Sequence, residues 1–179
     1  MQQAMKKRAI ELLADGTVAR VIGWENGEFG YDVTAAVFGS AEDLEKRFVY
    51  NEFCTPNLSK YLVGLGTSEG KTLVFLKPCD TYSFNQLLTE HRISRDKAYV
   101  IGIECNGKLD YNKLKDAGVK RIKNAVFDGD KVKVTDMNGE KVLDAADVMS
   151  ERCVNCKSRK HVVYDELIGG DGEVIDSNR

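Results

Sequence analysis

The chain has 179 residues, is 42 % hydrophobic and 30 % charged, and carries a formal net charge of −2, which describes an ordinary globular chain long enough for one proper core. So small a charge argues against a broad nucleic-acid surface, which needs many Lys and Arg set against phosphates. No apolar stretch approaches a membrane span, and the Met5-Lys6-Lys7-Arg8 start lacks a signal peptide's apolar centre, so a cytoplasmic chain without a membrane span is expected.

Residues 4–13 set Ile10, Leu12 and Leu13 among charges and stop at Asp15-Gly16, the pattern of a first helix closed by glycine. Residues 18–24 and 29–38 read as strands about a turn on Asn26-Gly27, so a β-hairpin is expected to open the domain. Ser40, with Asp43 three residues on, is a helix N-cap. Thr55-Pro56 predicts another helix start, running to Gly64-Leu65-Gly66. A helix N-terminus suits a phosphate or carboxylate, although the plainer reading is that Thr55 only caps its own helix.

From Lys71 the pattern alternates: a strand at 72–76, a helix at 80–91, a strand at 98–103, and a helix at 111–117 capped by Asp110 and ended by Gly118. This predicts an α/β fold, a layered sheet with parallel strands and flanking helices behind the N-terminal hairpin. Residues 122–136 alternate like a solvated hairpin about Gly129-Asp130, Met137-Asn138-Gly139-Glu140 adds another turn, and together they predict a small outlying β appendage, after which Asp144 caps a short helix. A single α/β domain is expected over 1–172, with 173–179 a tail or the start of a further C-terminal segment.

Five cysteines, an odd number in a reducing compartment, do not make a disulfide framework. Cys153-Val154-Asn155-Cys156 has the spacing that grips one metal centre, and the same spacing serves a redox dithiol or half a zinc site. Cys79 and Cys105 each follow an apolar run, at the carboxyl ends of expected parallel strands, where α/β sheets gather ligands. Four thiols from three places can therefore meet. Taken alone, Cys79 and Cys105 read as small buried hydrophobes, as does Cys54. Lys77, Arg152, Lys157, Arg159 and Lys160 either offset the charge of a thiolate centre, dock an acidic carrier, or simply form a solvated face. Trp24, Phe75 and Phe84 are expected in the core, His91 at a helix end where a cation suits the dipole, and His161 at the surface.

The order Lys77-Pro78-Cys79, Ile101-Gly102-Ile103-Glu104-Cys105, Cys153-x-x-Cys156 and Asp165-Glu166-Leu167-Ile168-Gly169-Gly170-Asp171 resembles the beta-subunit family of the coenzyme F420-reducing hydrogenases and dehydrogenases, over residues 45–172. The resemblance implies an electron-transfer subunit of an iron–sulfur (flavo)oxidoreductase, with a [4Fe-4S] cluster held by Cys79, Cys105, Cys153 and Cys156. Four thiolates are the usual complement of such a cluster. It also implies FAD as an optional second cofactor, exchanging hydride with a deazaflavin, and partners among other redox subunits or ferredoxin-like carriers. The family's Gly-Gly-x-x-Thr loop is replaced here by residues 51–57; Asn51, Thr55 and Asn57 of that loop, with Lys77, are the expected cofactor-binding residues. Lys157 and Ser158 stand where relatives often carry an acidic residue. Two other readings stay open: a zinc-stabilised α/β binding or scaffold module, and a thiol–disulfide enzyme working through Cys153 and Cys156.

Overall fold

The computed structural model describes residues 1–175, so the last four residues of the expected tail lie outside it. Helix α1 (Gln2–Ala14) closes where Gly16 takes a φ of +76°, a left-handed conformation open to glycine. Strand β1 (Arg20–Asn26) pairs antiparallel with β2 (Val33–Phe38), placing Val21 opposite Phe38. Their connection is wider than the turn expected on Asn26-Gly27, with Gly27 N–H donating to Asp32 O at 2.6 Å. Tyr31 draws this loop outward by stacking on Tyr111, ring centroids 4.2 Å apart. Helix α2 (Ala41–Arg47) opens on Ser40, whose Oγ accepts from Asp43 N–H at 3.2 Å, and β3 (Phe48–Val49) adds two antiparallel residues to β1.

Next come β4 (Thr72–Leu76), α3 (Pro78–Thr89) and β5 (Ala98–Ile103). Helix α4 (Tyr111–Asp116) is capped by Asp110, which accepts from Asn112 and Lys113 N–H. Strands β6 (Asn124–Asp128), β7 (Lys131–Asp136) and β8 (Gly139–Asp144) form an antiparallel meander. The hairpin expected at 122–136 thus gains a third strand, which sets Leu143 opposite Val132. Short helices α5 (Ala145–Val148) and α6 (Glu151–Val154) follow, then β9 (Glu166–Ile168).

The main sheet runs β2-β1-β4-β5-β9, with β1, β4, β5 and β9 parallel. The expected α/β architecture is borne out. Strand β4 is buried along its whole length, which is why it reads as an unbroken apolar run rather than an alternating one. Trp24, Phe48, Phe75 and Phe84 fill the core beneath it, each fully buried aromatic contributing on the order of 1.5–3 kcal/mol. The meander covers a second, smaller core of Leu109, Leu114, Val132, Val134 and Met149, to which Phe53 contributes.

Three expectations are corrected. Thr55 does not start a helix: a 3-10 segment begins only at Ser59, and Asn57 Oδ1 accepts from Ser59 N–H at 2.9 Å. The Pro56 carbonyl is instead taken by Trp24 Nε1 (3.2 Å) and Lys77 Nζ (3.1 Å), so tertiary bonds hold the loop out of helical geometry. Helix α3 starts at Pro78 rather than residue 80, because proline at the first helical position forfeits no hydrogen bond; Cys79 therefore lies on its first turn. Finally, His161 is buried, its side chain fully sealed. Its Nδ1 lies 2.8 Å from Asp171 Oδ1 and its Nε2 3.2 Å from Ile103 O, and this polar pairing is what burial of an imidazole requires.

Candidate functional site

The parallel register of β4 and β5 sets Leu76 beside Gly102. Cys79 follows Leu76 by three residues and Cys105 follows Gly102 by three, so both leave the sheet at its carboxyl edge on neighbouring strands. The other two thiols come from the chain around α6. Cys153 N–H donates to Ser150 O at 2.8 Å and Cys156 N–H to Cys153 O at 3.2 Å, a tight turn that keeps the pair together. All four cysteines line one cavity of about 160 Å³, with Lys77, Lys108, Arg152 and Arg159 among its other walls. That is roughly ten times the least space that holds a water molecule. Among the described residues, no three His, Cys, Asp or Glu side chains converge as ligands of a single ion.

Cys79 keeps exposed surface, yet the protein packed about its sulfur governs its titration: burial, helped by the Asp80 charge, pushes the thiol up to about 12. Burial raises the Cys153 thiol as well. At neutral pH these are protonated, poor nucleophiles until a metal displaces the proton, which coordination does outright. This disfavours Cys153 as the attacking thiol of a dithiol enzyme.

Three of these cations are held by one loop. Lys77 Nζ reaches Pro56 O and stands 2.7 Å from Asp80 Oδ2. Lys108 Nζ donates to Asn51 O at 2.9 Å, and Arg152 Nη2 to Thr55 O at 2.8 Å. Three backbone carbonyls of residues 51–56 thus steer three of the four cavity cations. Of the expected cofactor-binding residues, Lys77 lines the cavity, while Asn51 and Thr55 act behind it through their carbonyls. The Asn51 side chain bonds Phe53 N–H and Gly30 O, and the Asn57 side chain is spent on Ser59. Thr55 also lines a neighbouring cavity of about 300 Å³ with Tyr31, Tyr111 and Arg152.

Sequence reasoning missed Lys108, which is only 4 % exposed. The available signal was the glycine before it. Gly107 has a φ of +117°, and a Cβ there would meet Met149 Cε at 2.2 Å, so only glycine permits the turn that sends Lys108 inward after Cys105.

Fold and site together define an α/β protein whose parallel sheet gathers four thiols and four cations around one cavity at its carboxyl edge. No family model matches the chain. It is 29 % identical, over 98 residues, to the beta subunit of F420-dependent formate dehydrogenase 1 from Methanococcus maripaludis; the match takes in 55 % of this chain and 25 % of that protein, a quarter of its length. In fold it is similar to a chain of the F420-reducing [NiFe] hydrogenase complex from Methanosarcina barkeri, with a TM-score of 0.72 and 16 % identity over 97 % of this chain and 68 % of that one. The resemblance to the F420-reducing beta-subunit family, read from the ordered motifs, is supported by the formate dehydrogenase match, and the hydrogenase chain shares the fold. No helix of the described residues is long and apolar enough to cross a membrane.

Proposed function

We propose that this chain is an electron-transfer subunit, or a domain of one, in an F420-linked oxidoreductase complex, with a [4Fe-4S] cluster on Cys79, Cys105, Cys153 and Cys156. The observation that carries the reading is that thiols from three separate segments line one cavity. The residues fit the group. A four-iron cluster takes a thiolate at each of four corners and needs room between them, which the cavity of about 160 Å³ offers, whereas a tetrahedral zinc site draws its four sulfurs onto one ion at about 2.3 Å. The donor set is all sulfur, and the four neighbouring cations suit a thiolate-ligated centre of net negative charge.

When bound, such a cluster supplies one-electron exchange. The chain's own part is placement. The carboxyl edge of the sheet presents Cys79 and Cys105, the α6 turn presents Cys153 and Cys156, and Lys77, Lys108, Arg152 and Arg159 oppose the charge of the thiolates. FAD belongs to the same reading, as the group that would turn single electrons into hydride, and redox subunits or ferredoxin-like carriers are the partners it implies.

The test is iron, zinc and acid-labile sulfide content, with a visible spectrum, on protein purified without oxygen. About four irons and four sulfides per chain are expected, and flavin is then sought in the acid supernatant. One zinc without sulfide would replace this reading with the structural-zinc module.

A further inference from the structure

Two buried lysines line the cysteine cavity, and their surroundings differ. Lys77 has an internal counter-ion, Asp80, at 2.7 Å. Lys108 has none among the described residues: its ammonium meets the Asn51 carbonyl at 2.9 Å and the face of Tyr50, 4.1 Å from the ring centroid. Glu52 acts on it only through space. A carbonyl and a π face solvate an ammonium but do not neutralise it, and an unpaired charge in the interior is costly. The backbone nevertheless enforces the placement. Leu109 N–H donates to Glu52 O and Ser150 N–H to Lys108 O, both at 2.9 Å, so Lys108 is clamped between the residue 51–56 loop and the chain leading into α6. Lys108 is part of the wall of the thiol-lined cavity, and Cys105 acts on its ammonium through space.

We infer that Lys108 is the built-in counter-charge of the thiolate centre and, from outside its ligand set, raises that centre's reduction potential. The inference rests on the iron–sulfur reading above. A fixed positive charge beside the centre stabilises the more negative, reduced state, and a buried location leaves little water to screen it. The same logic makes Lys108 a burden when the cavity is empty.

The experiment compares Lys108→Met and Lys108→Arg with the wild-type chain, in metal-free and iron-loaded forms. The readouts are thermal stability without metal, iron and sulfide content, and midpoint potential from an electron paramagnetic resonance titration. For Lys108→Met we expect metal-free stability equal to or above wild type. At a fixed poise the loaded variant should show at least a tenfold lower ratio of reduced to oxidised centre, 59 mV for a one-electron couple. Lys108→Arg should restore most of that ratio. A Lys108→Met chain that fails to load while Lys108→Arg loads also supports the inference, provided the metal-free stability is kept. Loading with an unchanged potential overturns it, and so does a metal-free Lys108→Met chain less stable than wild type, because Lys108 would then act through Asn51 and Tyr50. A wild-type chain without iron and sulfide overturns the cluster reading itself, a different result from a loaded centre whose potential ignores residue 108.

Discussion

Lys77 Nζ stands 2.7 Å from Asp80 Oδ2, with the two side chains only 2 % and 4 % exposed, on the turn that also carries Cys79. Both charges have left water, so removing one partner strands the other. Asp80→Asn should therefore destabilise the metal-free chain by about 3–5 kcal/mol. Urea melts read this directly, and a loss below about 1 kcal/mol, the size of an exposed pair, would show the ion pair to be wet.

Gly107 is the pivot between Cys105 and Lys108. Gly107→Ala must adopt a positive φ and displace Met149, at a cost on the order of 1–3 kcal/mol from the backbone alone. The same variant should hold iron and sulfide poorly, since Met149 and Lys108 both shift. Full stability and full loading together would show that the turn relaxes without strain.

Cys54 serves as the internal control for the cysteines. It is sealed in the main core, and burial pushes its thiol up to about 11. Cys54→Ser should keep iron and sulfide, while Cys156→Ser should lose both. Alkylation of the native metal-free chain, followed by peptide mapping, should label Cys54 last; labelling it as fast as Cys105 would contradict its burial.

Arg8 Nε donates to Glu166 Oε2 at 2.8 Å and ties α1 to β9. The guanidinium holds the Glu166 carboxyl below its ordinary value. A depressed carboxylate pKa adds stability above the unfolded value, near about 4.3, and that gain is lost as pH falls through the folded value. The pair is about one-third exposed, so Arg8→Gln should cost under about 1 kcal/mol at neutral pH. The difference from wild type should vanish once Glu166 is protonated in both states. Paired denaturation curves at neutral and strongly acid pH check it, and a difference that grew on acidification would reverse the sign argued here.

The parts legible in the sequence were those decided within a few residues. Ser40 and Asp110 cap the helices that follow because the bonding groups are three residues or fewer away. Strand β4 announces itself because burial on both faces admits nothing but an apolar run. Cys79 and Cys105 could be set at one edge of the molecule because parallel strands share a direction, so that their carboxyl ends lie together.

Distance along the chain set the limit. Thr55-Pro56 looks like a helix start by every local rule, but its carbonyls are claimed by Trp24, Lys77 and Arg152, from elements 21 or more residues away in sequence. His161 carries no local mark of burial and is sealed by Asp171 and by the Ile103 carbonyl at the end of β5. The sequence by itself determined the α/β layering and the four cysteines at element ends, since propensity, capping and periodicity act locally. Only the tertiary structure decided which charges face those cysteines. The burial of Lys108 is an agreement among Asn51, Gly107, Met149 and Ser150, and no one segment contains it.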